Sequence, residues 1–213
     1  MSRIETQRSL RWWYNKQSER RFQDAELIRD GLLQEAFTLR RTLELSLMNS
    51  PESMEKTHQE LLETFERFHH DLKELSDRLS PPYLDDNLPL AIQSLLSGWQ
   101  VKYPAMQVEL KLPHDWQRES SEQSRLILMA LDELLGISLS GATGQTCLKL
   151  HLTAQAAGNE LTVQIKPLNH ATRGTNLHEL HHLERTLHCL MPGQCSIQHK
   201  REIIDCHLRW KSS

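Results

Sequence analysis

The sequence has no apolar run of the roughly 20 residues that a helix needs to cross a bilayer. Its first residues, MSRIETQRSLRWWYNKQSERR, mix charged and aromatic side chains and have no apolar stretch typical of a secretory signal peptide. We therefore expect no membrane association and a cytoplasmic location.

Paired cysteines and an excess of positive charge are also missing. Cys147, Cys189, Cys195 and Cys206 show no C-x-x-C spacing, which argues against a zinc ribbon or a disulfide framework. The formal net charge is -3, so no basic field is available to hold a nucleic acid. We expect a protein without a metal or nucleic-acid partner that associates with other proteins or small ligands.

The composition is that of a folded protein, because 38% of the 213 residues are hydrophobic and 25% are charged. We divide the chain into an N-terminal arm at 1–16, a helical hairpin at 17–84 and an α/β domain at 85–213. Trp12, Trp13 and Tyr14 in the arm are either a hydrophobic staple before the first helix or a contact patch for a partner.

The hairpin is predicted from two long amphipathic patterns. Apolar residues recur every three or four positions from Ile28 to Leu47, and a second series with spacings of 4, 3, 4, 3 and 4 runs from Leu61 to Leu79. Ser50 and Pro51 mark the turn between them, as helix cap and first helical residue. Further apolar residues lie off these stripes, and we expect two hairpins to bury them as a homodimeric four-helix bundle: Leu33, Phe37 and Leu62.

The second domain begins after Pro81-Pro82, which ends the second helix because proline lacks the N–H donor that a helix needs. Asp85, Asp86 or Asn87 can cap the next helix. Alternating strands are expected at 107–112, 147–153, 160–166, 194–198 and 203–210, with Gly158-Asn159 as a hairpin signal. Helices capped near Ser120 and spanning 177–190 complete an α+β fold with an antiparallel or mixed sheet.

The junction carries a resemblance to a known family. Arg78-Leu79-x-Pro81-Pro82-x-Leu84-Asp85, followed by a helix with Leu90-Ala91, resembles the end of the second dimerisation helix in sensor histidine kinases of the nitrate-sensor type. That subfamily is paired with LuxR-type response regulators. The resemblance implies a dimerisation and phosphotransfer hairpin followed by an ATPase-type α/β sandwich.

The hairpin departs from this family at the phosphoacceptor. In the family the first helix reads E-L-H-D-x-L, and here Arg29 stands at the position of the histidine. A guanidinium stays protonated and is no nucleophile, so we expect no autophosphorylation. Asp30 and Gln34 resemble the family's phosphatase pair, D-x-x-x-Q. In that pair the glutamine amide positions a water molecule. Arg29, Asp30, Leu33 and Gln34 are the residues that we expect to contact a partner.

The ATP site also departs from the family. Glu133 begins a segment that resembles the N box, but Ile137 replaces its magnesium-binding Asn, and the basic and His positions that follow fall on Ser140 and Gly141. The segment 166–174 has neither the Asp that would bond adenine nor the glycine-rich lid. We expect no ATP and no other cofactor, with Glu133 as a surface or capping carboxylate.

Two histidine motifs remain. His69-His70-Asp71 is similar to the phosphoacceptor box of another kinase subfamily, which makes His70 a weak candidate acceptor in the second helix. His178-Glu179-x-x-His182 matches the zinc-protease motif, but no downstream ligand pattern accompanies it. We interpret this second match as coincidental.

The hypothesis that follows is a pseudokinase that binds a response regulator or a partner histidine kinase and modulates two-component signalling. One alternative is a response-regulator phosphatase that uses Asp30 and Gln34. The other is a phosphotransferase that uses His70.

Overall fold

The structure, a computed structural model, describes residues 3–46, 54–79, 81–84, 87–116, 120–140, 144–155, 158–167, 176–191, 193–200 and 202–211. The chain forms two compact units. One unit is Asn15–Pro81, and the other combines the residues up to Tyr14 with those from Pro82 onward. Among the described residues, no helix has both the length and the apolar character required of a membrane span.

The first helix is longer than the sequence pattern predicts. α1 spans Arg3–Glu26, so Trp12 and Trp13 lie inside the helix. The staple interpretation is therefore wrong, because a staple residue precedes the helix cap. The polar composition of residues 3–11 concealed this part of the helix, since it carries no clear apolar stripe.

The unit Asn15–Pro81 contains the rest of α1, a π-helical segment at Leu27–Leu32, α2 at Leu33–Ser46 and α3 at Met54–Leu79. An ion pair of 3.3 Å between Arg67 Nε and Glu35 Oε1 joins α3 to α2. Leu32 and Leu75 are buried. The predicted turn at 49–52, with Ser50 and Pro51, lies outside the described residues.

The other unit continues with α4 at Leu88–Lys102, β1 at Met106–Lys111, α5 at Ser121–Leu139, β2 at Thr146–Gln155, β3 at Gly158–Pro167, α6 at Leu177–Leu190, β4 at Gly193–Lys200 and β5 at Ile203–Trp210. Asn87 caps α4 through a bond of 3.3 Å from the Leu90 N–H, and Ser120 caps α5 in the same way. The candidate caps Asp85 and Asp86 lie outside the described residues.

The sheet is mixed, with strand order β1-β2-β3-β5-β4. β1 runs parallel to β2, and the other neighbours are antiparallel. Gly158 and Asn159 belong to β3 itself, paired with Gln155 and Ala154 of β2. The φ of Gly158 is +133°, a conformation that residues with a Cβ rarely adopt, which explains why glycine stands there.

The core of this unit lies between the sheet and its helices. Every second residue of β3 from Asn159 to Ile165 is buried, and the same alternation runs along β5. α5 is buried on most sides, as its nearly continuous leucine and isoleucine content predicts. These layers confirm the α+β class.

Candidate functional site

The predicted contact residues lie where the helical geometry changes. Arg29 and Asp30 are part of the π-helical segment Leu27–Leu32, and the backbone N–H of Leu33 donates to the carbonyl of Ile28, five residues earlier. π-helical turns are rare and are frequently found at functional sites. The apolar pattern of the sequence did not predict this segment. Gly31 is the local sign in the sequence that the helix is irregular here, because glycine is a poor residue for a helix interior.

The side chains of this region point to solvent. Arg29, Asp30 and Gln34 are exposed, and Leu33 is 61% exposed although it is apolar. The neighbouring Leu32 is buried and anchors the segment. The segment thus presents a guanidinium, a carboxylate, an amide and a leucine together. Such a surface is suited to binding another protein through charge-assisted hydrogen bonds.

An apolar groove runs along α2 and α3 in the same unit. Its volume is about 520 Å³, and it is lined by Ala36, Leu39, Arg40, Leu43, Leu61, Leu62, Phe65 and Phe68. Leu62 is 59% exposed and Phe65 is 56% exposed. Off the groove, Phe37 is 68% exposed. Several large apolar side chains that are exposed close together indicate an interaction surface.

The candidate phosphoacceptor His70 lies on α3. His70 is exposed, as is His69 before it, and Asp71 is partly buried. The structure therefore leaves the His70 imidazole accessible to solvent.

The region that resembles an ATP site is apolar where the family has its metal ligand. Ile137 on α5 is 4% exposed. Glu133 is 3% exposed, so its predicted place at the surface is wrong. The reason is that α5 is covered on nearly every side beyond its first turn, so Glu133 is buried although Glu122 in the first turn is exposed. Between α5, α6 and the sheet, a cavity of about 10 Å³ has room for at most one water. The segment 168–175 lies outside the described residues, as does Gly141.

α6 brings the histidines of the H-E-x-x-H match together. The ring of His178 meets that of His182 edge to face, with 4.5 Å between centroids. Among the described residues, no group of three or more His, Cys, Asp or Glu side chains is arranged to hold a metal ion.

His182 has a partner that the sequence did not predict. Its Nδ1 lies 2.9 Å from the Oγ of Ser9 on α1. The ring also stacks on Trp12, with 5.6 Å between centroids and 20° between planes. The N-terminal segment predicted as a separate arm thus packs on α6 within one compact unit.

The chain matches no protein-family profile and no curated protein. Among solved structures, it is similar to the histidine kinase AdeS of Acinetobacter baumannii, with 12% identity and a TM-score of 0.45 over 85% of this chain and 97% of that one. It is also similar to the histidine kinase domain of the blue-light activated kinase EL346 from Erythrobacter litoralis, with 11% identity and a TM-score of 0.46 over 81% and 93%. The ATP-binding domain of PrrB from Mycobacterium tuberculosis is 14% identical, with a TM-score of 0.41 over 56% of this chain and 89% of that one.

Proposed function

We propose that this protein is a histidine-kinase-like regulator without kinase activity, which binds a response regulator or a partner histidine kinase through its helical hairpin. The observation that carries the proposal is the position of Arg29. It stands where the sequence resemblance places the phosphoacceptor, and it is exposed on a π-helical segment. Its guanidinium is available for binding a partner's carboxylates and is unsuited to accept a phosphoryl group.

The buried Ile137 supports the absence of kinase activity. A magnesium-bound triphosphate needs oxygen ligands, and an isoleucine side chain that is 4% exposed offers none. We therefore propose that the second unit acts as a scaffold and binds no nucleotide.

The exposed groove between α2 and α3 supports a homodimer. A second hairpin would cover Leu62 and Phe65, which a lone hairpin leaves more than half exposed. We propose that two copies form a four-helix bundle, the arrangement that buries such faces in paired hairpins.

Incubation of the purified chain with radiolabelled ATP and Mg²⁺ tests the absence of kinase activity. We expect no label on the wild type, and none on Arg29→His, because restoring an imidazole does not restore the nucleotide site. Calorimetry should show no heat of ATP binding. Labelling of either protein contradicts the proposal.

Partner binding is tested by titrating the purified LuxR-type response regulators of the source organism against the chain. Arg29→Glu should weaken binding of the cognate regulator at least tenfold, because it reverses the charge in the middle of the proposed contact. Arg41→Glu is the matched control, since Arg41 is also exposed but lies on α2, about three turns beyond Arg29. Equal effects of the two changes would show that the contact lies elsewhere.

A regulator phosphatase is the second candidate function, because Asp30 and Gln34 are both exposed four residues apart. The Gln34 amide would orient the water that attacks the aspartyl phosphate, as glutamine does in GTPases. Loss of label from a phosphorylated regulator should be faster with the wild-type chain than without it. Gln34→Glu keeps the shape of the side chain but removes the N–H donor, so it should abolish that acceleration, whereas Thr42→Ala should not.

Phosphotransfer through His70 rests on the exposure of its imidazole. It requires acid-labile label to move from a phosphorylated partner to this chain. The label should disappear in His70→Ala and persist in the neighbouring His69→Ala. Equal labelling of both variants rules out this route.

A further inference from the structure

Two histidines of α6 lie side by side on the second unit. His178 and His182 are four residues apart, so their side chains project from the same face of the helix, one turn apart. Their ring centroids are 4.5 Å apart, and the rings meet edge to face. His178 is exposed and His182 is partly buried. The two imidazoles thus form a pair that solvent reaches from the side of His178.

The separation of the rings is that of two imidazoles bound to one metal ion. Zinc binds an imidazole nitrogen at about 2.0–2.1 Å, which places the ring centroids of two ligands on one ion roughly 4.5–5 Å apart. The 4.5 Å between these rings falls at the short end of that range. Because His178 is exposed, its ring can turn to direct a nitrogen at an ion beside His182. An ion can therefore bridge the pair without a change in the helix backbone.

The second ring nitrogen of His182 already has a partner on α1. Nδ1 lies 2.9 Å from the Oγ of Ser9, and the ring stacks on Trp12. Ser9 is fully buried, and the hydroxyl of Thr186 donates to its backbone carbonyl over 3.1 Å. Metal-binding histidines use their other ring nitrogen in the same way, which fixes the orientation and tautomer of the ring. An Nδ1–H donated to Ser9 leaves the lone pair of Nε2 for an ion.

The surroundings of His182 also favour the neutral imidazole. Burial lowers the pKa of His182, and the nearby His178, His181 and Arg185 lower it further, while Glu179 raises it. A histidine must be neutral to bind a metal, so a lowered pKa removes the competition of protons at neutral pH.

The pair supplies two ligands and leaves the other coordination positions to water. In the part of the chain that the structure describes, no three His, Cys, Asp or Glu side chains are grouped around one point. The Glu5 carboxylate pairs with Arg185 at 3.2 Å, which offsets the positive charge one turn beyond His182. Imidazole ligands favour Ni²⁺, Cu²⁺ and Zn²⁺, whereas Mg²⁺ and Ca²⁺ require oxygen ligands. Structural zinc sites have four protein ligands and zinc proteases have three, so the pair fits neither class.

We propose that His178 and His182 form an open binding site for a divalent transition-metal ion, Ni²⁺, Cu²⁺ or Zn²⁺, in which Ser9 orients the ring of His182. The site is independent of the proposed regulator surface, which belongs to the hairpin unit. An ion that binds this arrangement stabilises the contact between α1 and α6, because it favours the state in which Ser9 holds the ring.

Calorimetric titration of the full-length chain with Ni²⁺ tests the site. We expect one tightly bound equivalent. His178→Ala should weaken its binding at least about tenfold, because a single imidazole lacks the advantage of two linked ligands. His178 is exposed, and circular dichroism should show that this variant keeps its helical content.

His181→Ala is the matched control. His181 is also exposed on α6, but its Nδ1 lies 3.8 Å from the Glu184 carboxylate, and the variant should bind Ni²⁺ as the wild type does. The chain has 12 histidines, so equal affinities of wild type and His178→Ala would place the ion elsewhere and overturn the proposal. An equal loss in His181→Ala, or no binding by the wild type, would also overturn it.

Long-range ¹H–¹⁵N NMR of the histidine rings identifies the ligating nitrogens in the zinc complex. On addition of one equivalent of Zn²⁺, the Nε2 resonance of His182 and one nitrogen resonance of His178 should shift together. Nδ1 of His182 should keep a proton, as its bond to Ser9 requires. Coordination through Nδ1 of His182, or a shift of His178 without His182, would contradict the proposed geometry and overturn the site.

Discussion

Truncation of Phe65 gives the sharpest test of the proposed homodimer. Phe65 lines the groove between α2 and α3 and is 56% exposed in the single chain. A phenylalanine of roughly 200 Å² therefore leaves roughly 110 Å² for a partner to cover. At about 25 cal/mol per Å², full coverage contributes about 3 kcal/mol per side chain and about 6 kcal/mol per symmetric dimer.

Even half of that contribution is measurable. A loss of about 3 kcal/mol per dimer raises the dissociation constant roughly a hundredfold. We expect Phe65→Ala to shift the monomer–dimer equilibrium by at least this factor in sedimentation equilibrium over a concentration series. Circular dichroism should show that the helical content is retained.

Val101→Ala is the control for this experiment. Val101 is 81% exposed on α4, outside the hairpin unit, and its truncation should leave the dissociation constant unchanged. A wild-type chain that stays monomeric at tens of micromolar, or equal dissociation constants for wild type and Phe65→Ala, would refute the reasoning.

Three other predictions concern the second unit. Leu135→Ala should lower the free energy of unfolding by about 2–5 kcal/mol in urea denaturation, because this fully buried side chain leaves a cavity; no loss would contradict its place in the core. Gly158→Ala should lower the free energy of unfolding by at least about 1 kcal/mol in the same assay, because φ is +133° and a Cβ would meet the carbonyl oxygen of Trp210. An unchanged free energy of unfolding would exclude that backbone conformation. Lys149→Ala should raise the pKa of Glu109, which the Lys149 hydrogen bond and charge now lower, as measured by carboxyl NMR titration. Thermal stability at neutral pH should barely change, because both side chains are about half exposed; a large loss would show that the pair is shielded from solvent.

The caps and strands of the second unit could be predicted because their causes are local. Asn87 and Ser120 cap helices through N–H groups three residues further along the chain. The alternation of β3 and β5 likewise depends only on neighbouring residues sharing one face. Such patterns are complete within a few positions of the sequence.

The candidate site was predictable in part. The resemblance located Arg29, Asp30 and Gln34, which the structure leaves exposed, and their role stays a prediction. The π-helical segment was not predictable, because its hydrogen bonds to the carbonyl five residues earlier do not produce a distinct apolar period over six residues.

The burial of Glu133 and the contact between Ser9 and His182 were decided by tertiary structure alone. The leucine and isoleucine content of α5 predicts that most of the helix is buried, but only the packing of the sheet and the other helices places Glu133 among its buried residues. Ser9 and His182 are separated by 173 positions, and no local pattern indicates that two such distant residues meet. Local chemistry thus set the caps of α4 and α5 and the alternation of the strands, and long-range packing determined which polar groups became buried neighbours.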